Sequence, residues 1–273
     1  MTVLVGILCQ DGVVIGSDSA ITFSVTSAVS HFHTLEHGGA IKVDLVGDQI
    51  LTATTGSVGL AQRYLSTLRS LHASNGIDLT SDPVQVATFI ANNMIREFSR
   101  TLTHLQQQKG WEIGALLALP IRETPSLFEF DPTNFHPEQK GDVTHEGKMR
   151  TPPIVTMGSG QLLADPFLAF VSRLFWQAGE RPRLADAKLA VAWTLQHAIE
   201  FNPGGIGGTP QIGILEKRGD EWEAGMLDVG EVLGQVRELE AHIRGYRTAF
   251  MQNVSAGEVQ LPQKEQAAPV VAT

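Results

Sequence analysis

The chain begins with short apolar runs separated by turn residues, a pattern typical of β-strands. The first two runs, 3–8 and 13–16, flank Asp11-Gly12, a dipeptide that favours a tight hairpin turn. Residues 40–53 repeat this arrangement around Gly47-Asp48. The pattern therefore predicts two hairpins, and the first of them places the N-terminal residues in a sheet.

Helical spacing of apolar residues follows and is interrupted by further strands. Asp82 followed by Pro83 indicates a helix start, because aspartate caps free backbone N–H groups and proline fits the first turn. The predicted helices cover residues 60–71, 83–105, 162–177, 183–201 and 228–251, and the later strands cover 113–119, 126–130, 154–157, 211–215 and 222–227. Strands and helices come in groups, so the order favours an α+β fold with helices outside stacked antiparallel sheets.

Composition and charge narrow the class of protein. Hydrophobic residues make up 42% and charged residues 18% of the 273 residues, which is enough apolar material for a buried core. No apolar run approaches the roughly 20 residues that span a bilayer, and Asp11 ends the N-terminal run too early for a secretory signal. We therefore expect a soluble, cytoplasmic protein. The net charge of −9 argues against nucleic acid or an anionic membrane as a partner.

Metal and disulfide chemistry find little support in the sequence. The single cysteine, Cys9, excludes an internal disulfide and a cysteine-cluster metal site. His31, His33 and His37, with Glu36, have a spacing that a metal could use, but they lie in a Ser/Thr/Gly-rich stretch that favours a solvated loop. We expect neither a metal nor any other cofactor.

Thr2 directly follows the initiator methionine, which is generally removed when the next residue is small. Removal would leave a hydroxyl group and a free α-amine on one residue. An α-amine has a pKa of ~7.7–8.0 and can accept a proton near pH 7, so a threonine with its own terminal amine can act as a nucleophile. Position alone also fits an ordinary chain start, and the hypothesis depends on the residues that accompany Thr2.

Further motifs follow Thr2 in a defined order. The turn at Asp11-Gly12 leads into GSDSAIT (16–22), then Lys42 lies in AIKVD, and Gly56 follows in ATTGSV. A Gly-Ser-Gly motif comes later, in IVTMGSG (154–160). In content and spacing these motifs resemble the proteasome β-type subunits, a family of N-terminal-nucleophile hydrolases. The resemblance covers roughly residues 2–227.

The resemblance implies a function for each matched residue. Thr2 would be the nucleophile, Asp18, Lys42 and Ser159 its catalytic partners, and the N–H of Gly56 the oxyanion donor. The residues that would contact substrate are Ile21, Thr22, Ala40, Thr54 and Val58. Independently of the family, a lysine on an apolar strand needs a partner when buried, and a nearby Asp18 would supply one.

The family also implies a fold and an assembly. The fold would be the four-layer αββα sandwich of N-terminal-nucleophile hydrolases, over residues 2–227. Residues 228–251 would add a C-terminal amphipathic helix, and 252–273 a mobile tail. Active sites of this kind face the inside of stacked homo-oligomeric rings, and no sequence feature identifies an unfolding ATPase as a partner.

One region departs from the family pattern. Family members usually carry an aspartate and a serine just before a Gly-Gly near the last strands, whereas residues 200–211 read EFNPGGIGGTPQ. This moves the chain toward the divergent bacterial homologues, and its long C-terminal helix is more like the Anbu group and the betaproteobacterial homologue than HslV. We favour the betaproteobacterial homologue.

Three functions are therefore open. The first is a self-compartmentalising threonine peptidase that acts on peptides or unfolded proteins. The second, favoured by the missing Asp/Ser pair, is a ring-forming scaffold or binding particle with weak or no peptidase activity. The third is a small-molecule amidase on the same fold.

Overall fold

The structure is a computed structural model that describes residues 1–26, 31–36, 39–102, 112–177, 179–202 and 205–255. Within these ranges the strands are β1 (Leu4–Leu8), β2 (Gly12–Ser17), β3 (Ile21–Thr26), β4 (His31–Glu36), β5 (Val43–Val46), β6 (Ile50–Gly56), β7 (Ile113–Ile121), β8 (Thr124–Phe130), β9 (Pro137–Gln139), β10 (Ile154–Met157), β11 (Gln211–Arg218) and β12 (Glu221–Met226). The helices are α1 (Val58–Ala73), α2 (Pro83–Leu102), α3 (Gln161–Phe175), α4 (Leu184–Phe201) and α5 (Val229–Ser255). None of these helices combines the length and the apolar character that a membrane span requires.

Two five-stranded antiparallel sheets form the centre of the fold. Their strand orders are β10-β1-β2-β11-β12 and β5-β6-β7-β8-β9. The hairpin β3-β4 forms a separate two-stranded sheet. The N-terminal strand β1 is therefore an interior strand, paired on both sides, and the residues that precede it are held between the ends of two neighbours.

The two sheets pack face to face, and a helix pair covers the outer face of each. The layer between the sheets contains Leu4 and Ile15 from the first sheet and Leu51 and Leu116 from the second. Helices α3 and α4 pack on the first sheet, and α1 and α2 on the second. Strand β7 is covered on both faces, which explains why all nine of its residues are buried and apolar or small. The predicted four-layer αββα sandwich is confirmed.

Helix α2 begins where the sequence predicts. Oδ1 of Asp82 accepts hydrogen bonds from the backbone N–H groups of Val84, at 3.0 Å, and Gln85, at 3.4 Å. Pro83 is the first helical residue and needs no acceptor for its nitrogen. The cap fixes where the helix enters the outer layer.

The region between β2 and β5 differs from the prediction. His31, His33 and Glu36, which we expected in a solvated loop, lie in strand β4, and β4 pairs with β3. The apolar and polar residues alternate along β3 (ITFSVT), as is typical of a strand, and this signal was overlooked. His37 lies outside the described residues. Strand β5 begins at Val43, so Lys42 directly precedes the strand.

Two compact units divide the chain, Met1–Leu233 and Gly234–Thr273. The first contains every described strand and helices α1–α4, and α5 begins in it. Within the second, the structure describes the rest of α5. The division into a hydrolase domain, a helical extension and a mobile tail stays a prediction, and the tail residues 256–273 lie outside the described residues.

We expect Phe135 to be essential to the layer between the second sheet and its helices. Its ring is fully buried, stacks on Phe130 at 4.9 Å and meets Phe98 edge-on at 5.4 Å. Phe135→Ala should lower the free energy of unfolding by ~3–5 kcal/mol, because it leaves a cavity and removes the aromatic contacts. Leu162→Ala, at a residue 87% exposed, is the control and should change the free energy of unfolding by less than ~0.5 kcal/mol in chemical denaturation. Equal losses in the two variants would contradict the assignment.

Candidate active site

Strand pairing brings the start of the chain to the ends of two other strands. Leu4 of β1 lies opposite Ser17 of β2 and opposite Met157 of β10. Because both pairings are antiparallel, Thr2 lies beside the residues that directly follow β2 and β10. Asp18 and the Gly-Ser-Gly motif are thus brought to the same point from distant parts of the sequence.

Asp18, which follows β2, is fully buried and accepts four hydrogen bonds. Oδ1 accepts from the backbone N–H of Val3 at 3.0 Å and from Lys42 Nζ at 2.8 Å. Oδ2 accepts from the N–H groups of Ala20 at 3.2 Å and Gly207 at 3.3 Å. A buried carboxylate is stable only when its oxygens are paired in this way, so the arrangement fixes a negative charge beneath the N-terminus.

Lys42 extends its ammonium between this carboxylate and the N-terminal hydroxyl. Its Nζ donates to Asp18 Oδ1 at 2.8 Å and to Thr2 Oγ1 at 3.1 Å, and lies 3.4 Å from the carbonyl oxygen of Met1. Lys42 is 8% exposed. Burial lowers the pKa of the Lys42 ammonium, although Asp18 beside it acts in the opposite direction. A cation of lowered pKa in contact with a hydroxyl favours removal of the hydroxyl proton.

Ser159 contacts the backbone of Thr2 from the other side. The N–H of Thr2 donates to Ser159 Oγ at 3.1 Å, and the N–H of Gly160 donates to the carbonyl oxygen of Thr2 at 3.1 Å. Gly158 has a φ of +91°, and a Cβ there would lie 2.4 Å from the same carbonyl oxygen. The glycine is therefore required for the close approach that brings Ser159 to the nitrogen of Thr2.

A pocket of about 260 Å³ opens beside Thr2. The predicted substrate residues that line it are Ile21, Ala40, Thr54 and Val58. Gly56 also lines the pocket, at the end of β6, with a φ of +102°, and a Cβ there would collide with the carbonyl oxygen of Glu112. A backbone without a side chain thus forms part of the wall of the pocket that Thr2 also lines.

The sequence model of one protein family, described as Proteasome subunit, matches residues 2–169, more than half of the chain. The chain belongs to the proteasome subunit family. The match includes Thr2, Asp18, Lys42 and Ser159, and membership supports a peptidase-type function in general. No curated protein matches the chain. The predicted likeness to a particular bacterial group within the proteasome subunit family stays a prediction.

The structure brings together the predicted site residues whose side chains it describes. Thr22 lies in β3, and its side chain is outside the description. The sequence analysis did not identify Ala20, Ile41 and Thr55, which are neighbours of predicted residues, nor three pocket residues of α1, namely Ala61, Gln62 and Leu65. With Val58 the three residues of α1 occupy the positions i, i+3, i+4 and i+7 of one helix face, so the position of Val58 could have identified them.

Backbone groups stand in the region where the proteasome subunit family usually has an aspartate and a serine. The N–H of Gly207 donates to Asp18, and the carbonyl oxygen of Gly207 accepts from the N–H of Ser19 at 3.1 Å. The loop before β11 therefore supports Asp18 directly. Among the described residues, no group of three or more His, Cys, Asp or Glu side chains could hold a metal ion.

We expect that removal of only one partner of the Lys42–Asp18 ion pair lowers the free energy of unfolding more than removal of both. Asp18→Asn should lower the free energy of unfolding by ~3–5 kcal/mol, because the ammonium of Lys42 stays buried without its counter-charge. The double variant with Lys42→Met should lose less than Asp18→Asn alone, since the unpaired charge is gone. The exposed pair of Lys148 and Glu146 is the control, and Glu146→Gln should cost ~0–1 kcal/mol when all variants are compared by urea titration. A double variant less stable than the single one would contradict this account.

Proposed function

We propose that this proteasome subunit is a threonine peptidase whose nucleophile, Thr2, is exposed by removal of Met1. The observation that carries the proposal is the contact of one buried ammonium, Lys42 Nζ, with both Thr2 Oγ1 and Asp18 Oδ1. A hydroxyl group is a weak nucleophile at its free pKa and needs an adjacent base and cation of this kind. Ser159 beside the Thr2 nitrogen is well placed to hold the terminal amine.

The reaction would proceed by acyl transfer. Thr2 Oγ1 attacks the carbonyl carbon of a peptide bond, and its proton passes to the α-amine of Thr2, through a water molecule. The N–H of Gly56 donates a hydrogen bond to the oxyanion that forms. The charges of Lys42 and Asp18 are already in place and need no rearrangement during this step. The C–N bond breaks, the leaving amine takes the proton, and water then hydrolyses the ester formed on Thr2.

Met1 must leave before this chemistry can begin. With Met1 attached, the nitrogen of Thr2 is an amide and cannot accept a proton, and Thr2 Oγ1 donates to the carbonyl oxygen of Met1 at 2.8 Å. Burial, followed by the charge of Lys42, lowers the pKa of the α-amino group of the chain. After removal of Met1 the α-amine would be that of Thr2, which would lie closer to Lys42 and Ser159. A lowered pKa of the Thr2 amine would favour its neutral form, which acts as a base.

The substrate would lie as an extended strand between the segments that carry Thr22 and Gly56, pairing its backbone with theirs. The side chain before the cleaved bond would enter the pocket beside Thr2. Among the described residues that line the pocket, Lys42 alone has a charged side chain, and its ammonium is paired with Asp18. The pocket therefore favours an uncharged side chain.

Assembly and location complete the proposal. We propose a stacked homo-oligomer of rings whose active sites face an internal space, with α5 as a helical extension of the hydrolase domain. The substrates would be peptides or unfolded proteins in the cytoplasm. Nothing in the chain specifies an ATPase, a nucleic acid or a membrane as a partner.

A ring-forming scaffold with little peptidase activity is the second candidate. The loop at Gly207 supports Asp18 through its backbone, but residues 200–211 contain neither the aspartate nor the serine of the family pattern. The same experiment separates the two candidates.

Intact-mass spectrometry with an epoxyketone probe, which reacts with a hydroxyl and an amine on one residue, tests the peptidase. We expect the purified chain to lack Met1 and to gain one probe molecule at Thr2, and Thr2→Ala to gain none. Lys42→Met should slow labelling by about 10²- to 10³-fold, because the hydroxyl loses its cationic partner. Lys148→Met, at a side chain 80% exposed, is the matched control and should react as the wild type does.

Two results would contradict the peptidase. Retention of Met1 in the natural protein would remove the proposed base. A processed chain that assembles into rings but takes up no probe would favour the scaffold instead.

Fluorogenic peptides that vary the residue before the cleaved bond test the pocket. Leucine or methionine there should be cleaved faster than lysine or glutamate by about tenfold or more, because an unpaired charge is costly in an apolar pocket. Ala61→Asp should raise the relative rate for lysine, since it adds a counter-charge to the lining. Ser66→Asp, at an exposed position on the same helix, is the control and should leave the preference unchanged. A preference that ignores Ala61→Asp would show that the side chain binds elsewhere.

A further inference from the structure

The side-chain amide of Gln211 joins the two sheets next to the candidate site. Gln211 is the first residue of β11, where it lies opposite Ser17. Its Nε2 donates to the carbonyl oxygen of Ala40 at 2.6 Å. Its Oε1 accepts from the backbone N–H groups of Lys42 at 2.9 Å and Val43 at 3.2 Å. One amide therefore makes three hydrogen bonds to the segment that carries Lys42.

These bonds hold the backbone of Lys42 from one side while β6 holds it from the other. The carbonyl oxygen of Lys42 accepts from the N–H of Thr54 at 3.2 Å. The N–H of Lys42 donates to Gln211 rather than to β6. A glutamine amide presents a donor and an acceptor in the same plane as a peptide group does, so Gln211 takes the place of a neighbouring strand at this point.

Apolar burial does little to hold this segment. Gly39 is exposed with a φ of +133°, Ala40 is half-buried, and Ile41 is 74% exposed. The side chain of Lys42 reaches Asp18 from a segment whose preceding residues, 39–41, are poorly buried. The position of Lys42 Nζ therefore depends on the hydrogen bonds that hold its backbone. A shift of about 1 Å in a catalytic group can cost about a hundredfold in rate.

We infer that Gln211 is a positioning residue of the peptidase site, which sets the place of Lys42 and of the pocket wall at Ala40. The inference rests on the proposed function for its effect on the reaction. It rests on the three hydrogen bonds alone for its effect on the backbone. Gln211 does not itself touch Thr2 in this arrangement and acts through Lys42.

Gln211→Met tests the inference, because methionine keeps the length of the side chain and loses all three hydrogen bonds. We expect epoxyketone labelling of Thr2 to slow by roughly tenfold to a hundredfold. The backbone amides of Lys42 and Val43 should exchange their hydrogens about tenfold faster. Gln196→Met, at a half-buried glutamine that is bonded within α4, is the matched control and should change neither rate.

Gln211→Glu adds a second measurement, the pH dependence of the labelling rate, which would not change if Gln211 only stabilised the fold. The carboxylate keeps the acceptor for the two N–H groups and loses the donor to Ala40. It also adds a negative charge to a site that already contains Asp18, Lys42 and the terminal amine of Thr2. A negative charge stabilises the protonated forms of both amines, so the half-maximal point of the labelling rate should move to higher pH. In Gln211→Met the rate should fall at every pH without that displacement.

The outcomes separate this inference from the proposed function. If the wild type is not labelled, the proposed peptidase function is contradicted, and so is the role of Gln211 in the reaction. If the wild type is labelled and Gln211→Met reacts at the same rate with unchanged amide exchange, the inference is overturned while the peptidase stands. Slower labelling, faster exchange at residues 42 and 43 and the displaced pH profile of Gln211→Glu together support it.

Discussion

The burial of a positive charge beside the N-terminal hydroxyl is the constraint on which the rest of the site depends. An ammonium in an apolar interior is stable only with a counter-charge, and a buried carboxylate in turn needs donors for both of its oxygens. Asp18 accepts from N–H groups of the residue before β1, of a residue after β2 and of the loop before β11. Lys42 reaches it from the second sheet. The pair therefore forms only when the two sheets have closed on each other.

Strand order explains how a chain end can carry chemistry. Terminal residues of most domains are poorly ordered, because few bonds hold them. Here β1 is an interior strand, so the residue before it is bonded to elements on both sides. Helices on the outer faces bury both sheets. The hydroxyl of Thr2 therefore lies in a well-packed centre with defined partners, as the proposed reaction requires.

The sequence was sufficient for much of the fold and for the centre of the site, and the reasons are physical. The turn at Asp11-Gly12 and the apolar runs around it encode β1 and β2, and the motif residues follow from their spacing. The hairpin β3-β4 was missed although its residues alternate, because histidines and hydroxyl residues obscure the pattern. The contact of Gln211 with Lys42 joins residues 169 positions apart through a side chain, and no local periodicity encodes a contact of that kind.

The hydrogen bonds to the carbonyl oxygen of Met1 have a consequence for when the chain becomes active. While Met1 is attached, its carbonyl oxygen accepts from the hydroxyl of Thr2 and lies 3.4 Å from the ammonium of Lys42. On the proposed function, a chain that retains Met1 is a latent precursor. Hydrolysis would then be switched on by the removal of a single residue at one end.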